Sequence, residues 1–90
     1  MPAIHLLIKG KVQGVYYRAS AKEKAKSLGI TGWVKNTPEG FVEIMANGRQ
    51  EVLEQMVTWC NVGPSAAIVL EVIFTKMGEQ NFNAFLIKND

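Results

Sequence analysis

The sequence holds one cysteine, Cys60, and one histidine, His5. A lone thiol cannot cross-link the chain to itself, and it excludes a Cys-x-x-Cys redox centre and a multi-cysteine zinc site. A lone imidazole excludes a His-pair metal site and a two-histidine mechanism. Apolar runs last only a few residues, far short of the about 20 that a membrane-spanning helix needs. No charged-then-apolar leader opens the chain, since Met1-Pro2 leads straight into Ile4-His5-Leu6-Leu7-Ile8. The net charge of +2 is too weak to argue for nucleic acid. These absences leave a soluble cytoplasmic protein as the simplest expectation, with neither a membrane nor a nucleic acid as partner.

What is present suits one small domain over residues 1–90. Hydrophobic residues make up 48% and charged residues 20%, which excludes wholesale disorder. Ala3 to Lys9 alternates as a strand, with Ile4, Leu6 and Ile8 on one face and His5 and Lys9 on the other. Gly10 to Gly14 reads as a loop. Ala19 to Leu28 reads as a helix with Ala21, Ala25 and Leu28 on its inner stripe, Lys22, Lys24 and Lys26 off it, and Gly29 as its stop. Thr31–Lys35 and Phe41–Ala46 form a hairpin, because Pro38 and Gly40 supply turn geometry between them.

Arg49 to Asn61 reads as a second helix with Val52, Leu53, Met56, Val57 and Cys60 facing inward. Gly48 with Glu51 offers a weak capping box, and Gly63-Pro64 ends the segment. Ile68–Thr75 and Ala84–Lys88 complete the strands. The order is βαββαβ plus a short C-terminal strand. It predicts an α+β, ferredoxin-like sandwich, with two helices on one face of a mainly antiparallel sheet. Its fourth strand falls at a sheet edge. There Ile68 to Phe74 is apolar and proline-free with Glu71 as its single charge, a template for pairing with another chain. Val72 and Phe74 should point inward and Ile73 outward.

Two places could carry chemistry. Gly10-Lys11-Val12-Gln13-Gly14-Val15-Tyr16-Tyr17-Arg18 lies between a strand and a helix. Its glycines let backbone N–H groups turn inward, and the helix start adds unpaired N–H groups, so together they form an anion cradle. Arg18 sits where the helix dipole disfavours a cation, and a bound anion would compensate. Its planar fork suits phosphate or carboxylate oxygens. The plainer alternative is a stem packed on the core with its head in water.

Asn36, at the mouth of the hairpin, could orient a water without titrating, although asparagine at a turn ordinarily caps local backbone. His5 reads as an outward strand residue and Cys60 as a buried filler. Trp33 and Phe41 read as a packing pair across the hairpin on the open face.

These segments resemble the acylphosphatase family. Its first signature, Gly-x-Val-Gln-Gly-Val-x-Phe-Arg, is met by Gly10, Val12, Gln13, Gly14, Val15 and Arg18, with Tyr17 where Phe is usual. Its second signature is met by Gly32, Trp33, Val34, Lys35, Asn36, Gly40, Val42 and Gly48. Gly63-Pro64 and Phe82 to Lys88 are similar to its later landmarks, so the likeness runs from about Ile4 to Lys88.

The resemblance implies a ferredoxin-like fold and hydrolysis of acyl phosphates to a carboxylate and phosphate, with no metal, cofactor or covalent intermediate. It implies that Arg18 binds the phosphoryl group and that Asn36 holds the attacking water. The backbone N–H groups of Gln13, Gly14, Val15, Tyr16, Tyr17 and Arg18 would form the phosphate cradle, with the Tyr17 ring packed beneath the loop. The expected partners are an acyl phosphate substrate and inorganic phosphate, as product and inhibitor, and the chain is expected to act as a monomer. Two alternatives stay open: a non-catalytic phosphate or carbamoyl-phosphate binding module, and an RNA-binding module of the same topology. The strand Phe41 to Ala46 lacks the aromatic and basic pattern of the latter.

Overall fold

The computed structural model describes residues 1–89. Its elements are β1 (Ala3–Lys11), α1 (Tyr17–Ser27), β2 (Thr31–Asn36), β3 (Val42–Asn47), α2 (Gln50–Cys60), β4 (Ile68–Met77) and β5 (Phe85–Ile87). The strands form one sheet in the order β4-β1-β3-β2-β5. The β1–β3, β1–β4 and β2–β3 ladders are antiparallel, whereas β5 runs parallel to β2. Both helices pack on one face, as the ferredoxin-like reading requires. Among the described residues, no helix is long and apolar enough to cross a membrane.

Strand alternation decides which side chains meet the helices. Ile4, Leu6 and Ile8 stand opposite Ala46, Ile44 and Val42, and Val34 continues the row from Ile44. All seven are buried against Ala21 and Ala25 of α1 and Leu53, Met56 and Cys60 of α2. The alanines let α1 lie close to the sheet. Full burial of each Leu or Ile contributes about 1.5–3 kcal/mol. The opposite face carries His5, whose Nε2 lies 2.6 Å from Glu43 Oε2, and Lys35, 3.7 Å from the same carboxylate. His5 is therefore an outward residue, as its alternation predicts.

Several boundaries differ from the sequence expectations, each for a physical reason. β1 continues through Gly10 to Lys11 because it keeps pairing with β4 across a register shift between Lys9 and Gly10. Gly10 is required there: φ is +133°, and a Cβ would lie 2.1 Å from the Ile68 carbonyl oxygen. α1 starts at Tyr17 and ends at Ser27, because burial of the Tyr17 ring extends it N-terminally. The N-cap of α2 is Arg49, not Gly48, and it makes no side-chain cap bond. Glu51 instead lies 3.6 Å from Arg49.

Trp33 and Phe41 share the open face without forming the expected pair. Trp33 stands opposite Met45, with Lys35 and Lys88 over its ring, while Phe41 precedes β3 and lies under Lys9. β4 occupies the sheet edge. Val72 and Phe74 share the helix face with their partners Ile8 and Leu6, and Ile73 lies opposite Leu7 on the other face. Phe74 is nevertheless 53% exposed. A groove of about 460 Å³ separates it from Leu53 and Val57 of α2.

Candidate active site

The β1–α1 connection is short and conformationally unusual. Gly14 has φ +74° and Tyr16 φ +64°, the latter being the one non-glycine residue with positive φ among those described. Tyr16 serves as the N-cap of α1 without a side-chain cap bond, and the first turn contains no acidic residue. Such a helix start leaves N–H groups without intrahelical partners. Among the described residues, no backbone acceptor takes the N–H groups of Gly14 to Arg18 in a turn, loop or cap. Arg18 follows immediately, half-buried in the first turn, and no carboxylate among the described residues lies within ion-pairing distance of it. A cation placed at the positive end of a helix dipole, beside unpaired amides, forms an environment suited to an anion.

Tyr17 holds this start in place. Its ring is 1% exposed, and its hydroxyl donates to the Cys60 carbonyl at the end of α2 over 2.7 Å. The Trp59 ring centroid lies 5.3 Å away. Gly63, at φ +68°, runs so close that a Cβ there would sit 2.6 Å from the Tyr17 ring. Burial pushes the phenol well above its ordinary range and the Cys60 thiol up to about 12. Both are therefore neutral structural groups near neutral pH. The Tyr17 ring does pack beneath the loop, so any contact this residue makes with a bound anion falls to its backbone.

The hairpin supplies the other wall. Thr37 N–H donates to the Phe41 carbonyl (2.9 Å), Gly40 N–H to the Thr37 carbonyl (3.1 Å), and Phe41 N–H to Thr37 Oγ1 (3.1 Å). The turn thus bonds itself internally and does not use the Asn36 side chain. Asn36 pairs with buried Val42 at the end of β2, which puts its side chain on the helix face. Its Oδ1 is buried without a hydrogen-bond partner. Leaving such an acceptor unmet costs about 1–3 kcal/mol, so a donor is expected to reach it in the working protein.

These pieces converge. Gly14, Tyr16, Arg18 and Asn36 line one cleft of about 510 Å³, together with Val12, Tyr17, Ala19, Ile87 and Asn89. The Gln13 side chain stands apart, because its amide donates to the Thr37 and Phe41 carbonyls. Val15 is buried. Sequence reasoning does not find Ile87 and Asn89, which reach the cleft only because β5 lies parallel to β2. The arrangement combines a guanidinium, a run of unpaired amides and a buried carbonyl oxygen. It can hold a tetrahedral anion and accept a hydrogen bond from a small donor beside it.

A family model for acylphosphatase matches residues 4–87. The chain belongs to the acylphosphatase family. The acylphosphatase of Marinobacter nauticus is 51% identical over 82 residues, covering 90% of this chain and 89% of its own. That of Methylococcus capsulatus is 43% identical over 91 residues, covering 100% and 99%. The crystal structure of acylphosphatase from Bacillus subtilis matches 99% of this chain and 100% of its own, with a TM-score of 0.96 at 29% identity. This chain is thus an acylphosphatase-family enzyme on the ferredoxin-like scaffold that its element order predicts.

Proposed function

We propose that the chain hydrolyses the carboxyl–phosphate bond of an acyl phosphate in the cleft between the β1–α1 loop and Asn36. It does so without a metal, as a monomeric cytoplasmic enzyme of one domain spanning residues 1–90. Arg18 and the backbone N–H groups of Gln13 to Arg18 hold the phosphoryl oxygens. A water donates to Asn36 Oδ1, which leaves its lone pair free to meet phosphorus. The new P–O bond forms as the carboxyl–phosphate bond breaks. The carboxylate leaves with the electron pair, and the water's proton goes to a phosphate oxygen or to solvent.

An acyl phosphate suits such a site because its leaving group is a carboxylate that needs no general acid. Positioning and charge stabilisation then make up most of the task. The single observation that carries this reading is the buried, unpartnered Asn36 Oδ1 in the same cleft as Arg18. A non-catalytic anion sensor would need the cradle but not this acceptor. The test is turnover of a simple acyl phosphate with and without a chelator. Steady release of inorganic phosphate, unchanged by chelation and inhibited by added phosphate, is expected. Phosphate binding without turnover would favour the sensor, and a chelator-sensitive rate would overturn the metal-independent mechanism.

A further inference from the structure

The two halves of the cleft come from separate parts of the chain, and one side chain joins them. Gln13, half-buried at the start of the loop, donates its amide to the Thr37 carbonyl and to the Phe41 carbonyl, each over 2.9 Å. Both partners are acceptors only, so the NH₂ end of the amide must face them, with one hydrogen for each. The chemistry is selective: Glu would present lone pairs to two carbonyls, and Asn would fall short. Thr37 directly follows Asn36, and Phe41 closes the same turn by accepting the Thr37 N–H. On its other side, Gln13 directly precedes Gly14, where the run of unpaired amides begins.

We propose that Gln13 is a positioning residue, whose bidentate clamp fixes the distance between the anion cradle and Asn36. The proposal rests on the functional reading above. Arg18 and the loop amides belong to one continuous stretch and keep their mutual geometry without the clamp. Asn36 belongs to the hairpin and does not. Loss of the clamp therefore misplaces the water relative to the phosphoryl group while leaving the phosphoryl group bound. Misplacement of about 1 Å is enough to cost on the order of 10²-fold in rate.

The test is a double-variant cycle with Gln13→Met, which removes both donors at similar volume, and Asn36→Ala. Turnover and inhibition by inorganic phosphate are both measured, and thermal unfolding verifies that each variant is folded at the assay temperature. Gln13→Ala repeats the test should the methionine variant prove unfolded. Gln13→Met is expected to lower kcat about 10- to 100-fold while phosphate inhibition shifts by less than about threefold. In the Asn36→Ala background the same substitution is expected to change kcat by less than about twofold, because the group it positions is gone. Two results would overturn the clamp alone: losses that multiply in the double variant, or phosphate inhibition weakening in step with kcat. If Asn36→Ala by itself left turnover intact, the functional reading would fall first and the clamp with it.

Discussion

Two of the concavities on this domain have similar volumes and are built on opposite principles. The cleft at the loop end, about 510 Å³, gathers a guanidinium, unpaired amides and an orphaned carbonyl oxygen. Each stands on a support that is itself tied down, by Tyr17 to Cys60 or by Gln13 to the hairpin. The groove under β4, about 460 Å³, gathers Leu53, Val57, Phe74 and Met77, with Gln50, Glu54 and Lys76 among its other residues. It lies between α2 and the edge strand β4. Unpaired polar groups gathered around one cation, rather than concavity or apolar lining, are what favour the loop-end cleft as the candidate site.

The sharpest way to break this contrast is at Arg18. Arg18→Ala is expected to lower kcat by about 10²-fold or more and to weaken inhibition by inorganic phosphate, since the cation meets charge in both the bound and the transition state. Asn36→Ala is expected to lower kcat comparably while leaving phosphate inhibition within about threefold. Loss of phosphate binding with normal kcat in the asparagine variant would reverse the two roles. Neither a guanidinium nor an amide titrates near neutrality, and His5 lies on the far face of the sheet. A kcat profile flat between about pH 6 and 8 is therefore expected, and a bell-shaped profile lost in His5→Gln would contradict the assignment.

A second test compares register partners. Leu6 and Phe74 face each other across β1 and β4, yet Leu6 is fully buried and Phe74 is half-exposed over the groove. Leu6→Ala is expected to cost about 2–5 kcal/mol by denaturant titration, and Phe74→Ala about 1 kcal/mol. Equal losses would mean that the β4 edge is part of the core after all.

Smaller effects probe the support under the loop. Tyr17→Phe removes the hydroxyl bond to the Cys60 carbonyl and is expected to cost about 1 kcal/mol of stability. Tyr17 and Cys60 both hold their protons more tightly folded than unfolded, so their contribution is complete below the ordinary thiol value. Stability should fall as pH rises above about 9 toward about 12, where unfolded thiol and phenol ionise while the buried ones do not. Urea midpoints at about pH 7 and about pH 10 check this: the difference should shrink in Cys60→Ala. A variant with the full wild-type difference would assign the slope to other groups.

Much of this was legible from residue order alone. The alternation of Ile4, Leu6 and Ile8 orients β1, and the Pro38–Gly40 turn sets the hairpin. Arg18 announces itself because a cation is out of place at a helix start. By residue type alone Asn36 reads as a turn cap, and its candidacy rests on the family resemblance; the structure adds that the turn bonds itself through Thr37 and leaves the asparagine oxygen without a partner. Three features were beyond sequence reasoning because they depend on distant partners. Gly10 looks like a loop residue until β4 is seen passing against it. The use of the Gln13 side chain depends on where the hairpin arrives, and the nearness of Ile87 and Asn89 depends on β5 pairing with β2. Phe74 was placed on the correct face, but alternation does not say whether a helix extends far enough to cover it.

The position of β1 has a consequence for how the chain is born. Ile8 is paired with Val42 on one side and Val72 on the other. β1 is made before both of its partners, so it must wait until β4 is synthesised before both its edges are closed. The β2–β3 hairpin is local and can form early, but Ile4, Leu6 and Ile8 have no sheet neighbours until β3 docks, and no second neighbours until β4 is made. Contacts so distant in sequence slow folding, placing mixed α/β domains of this size behind helical bundles. The order of synthesis thus leaves β1 waiting longer for its neighbours than any other strand of this sheet.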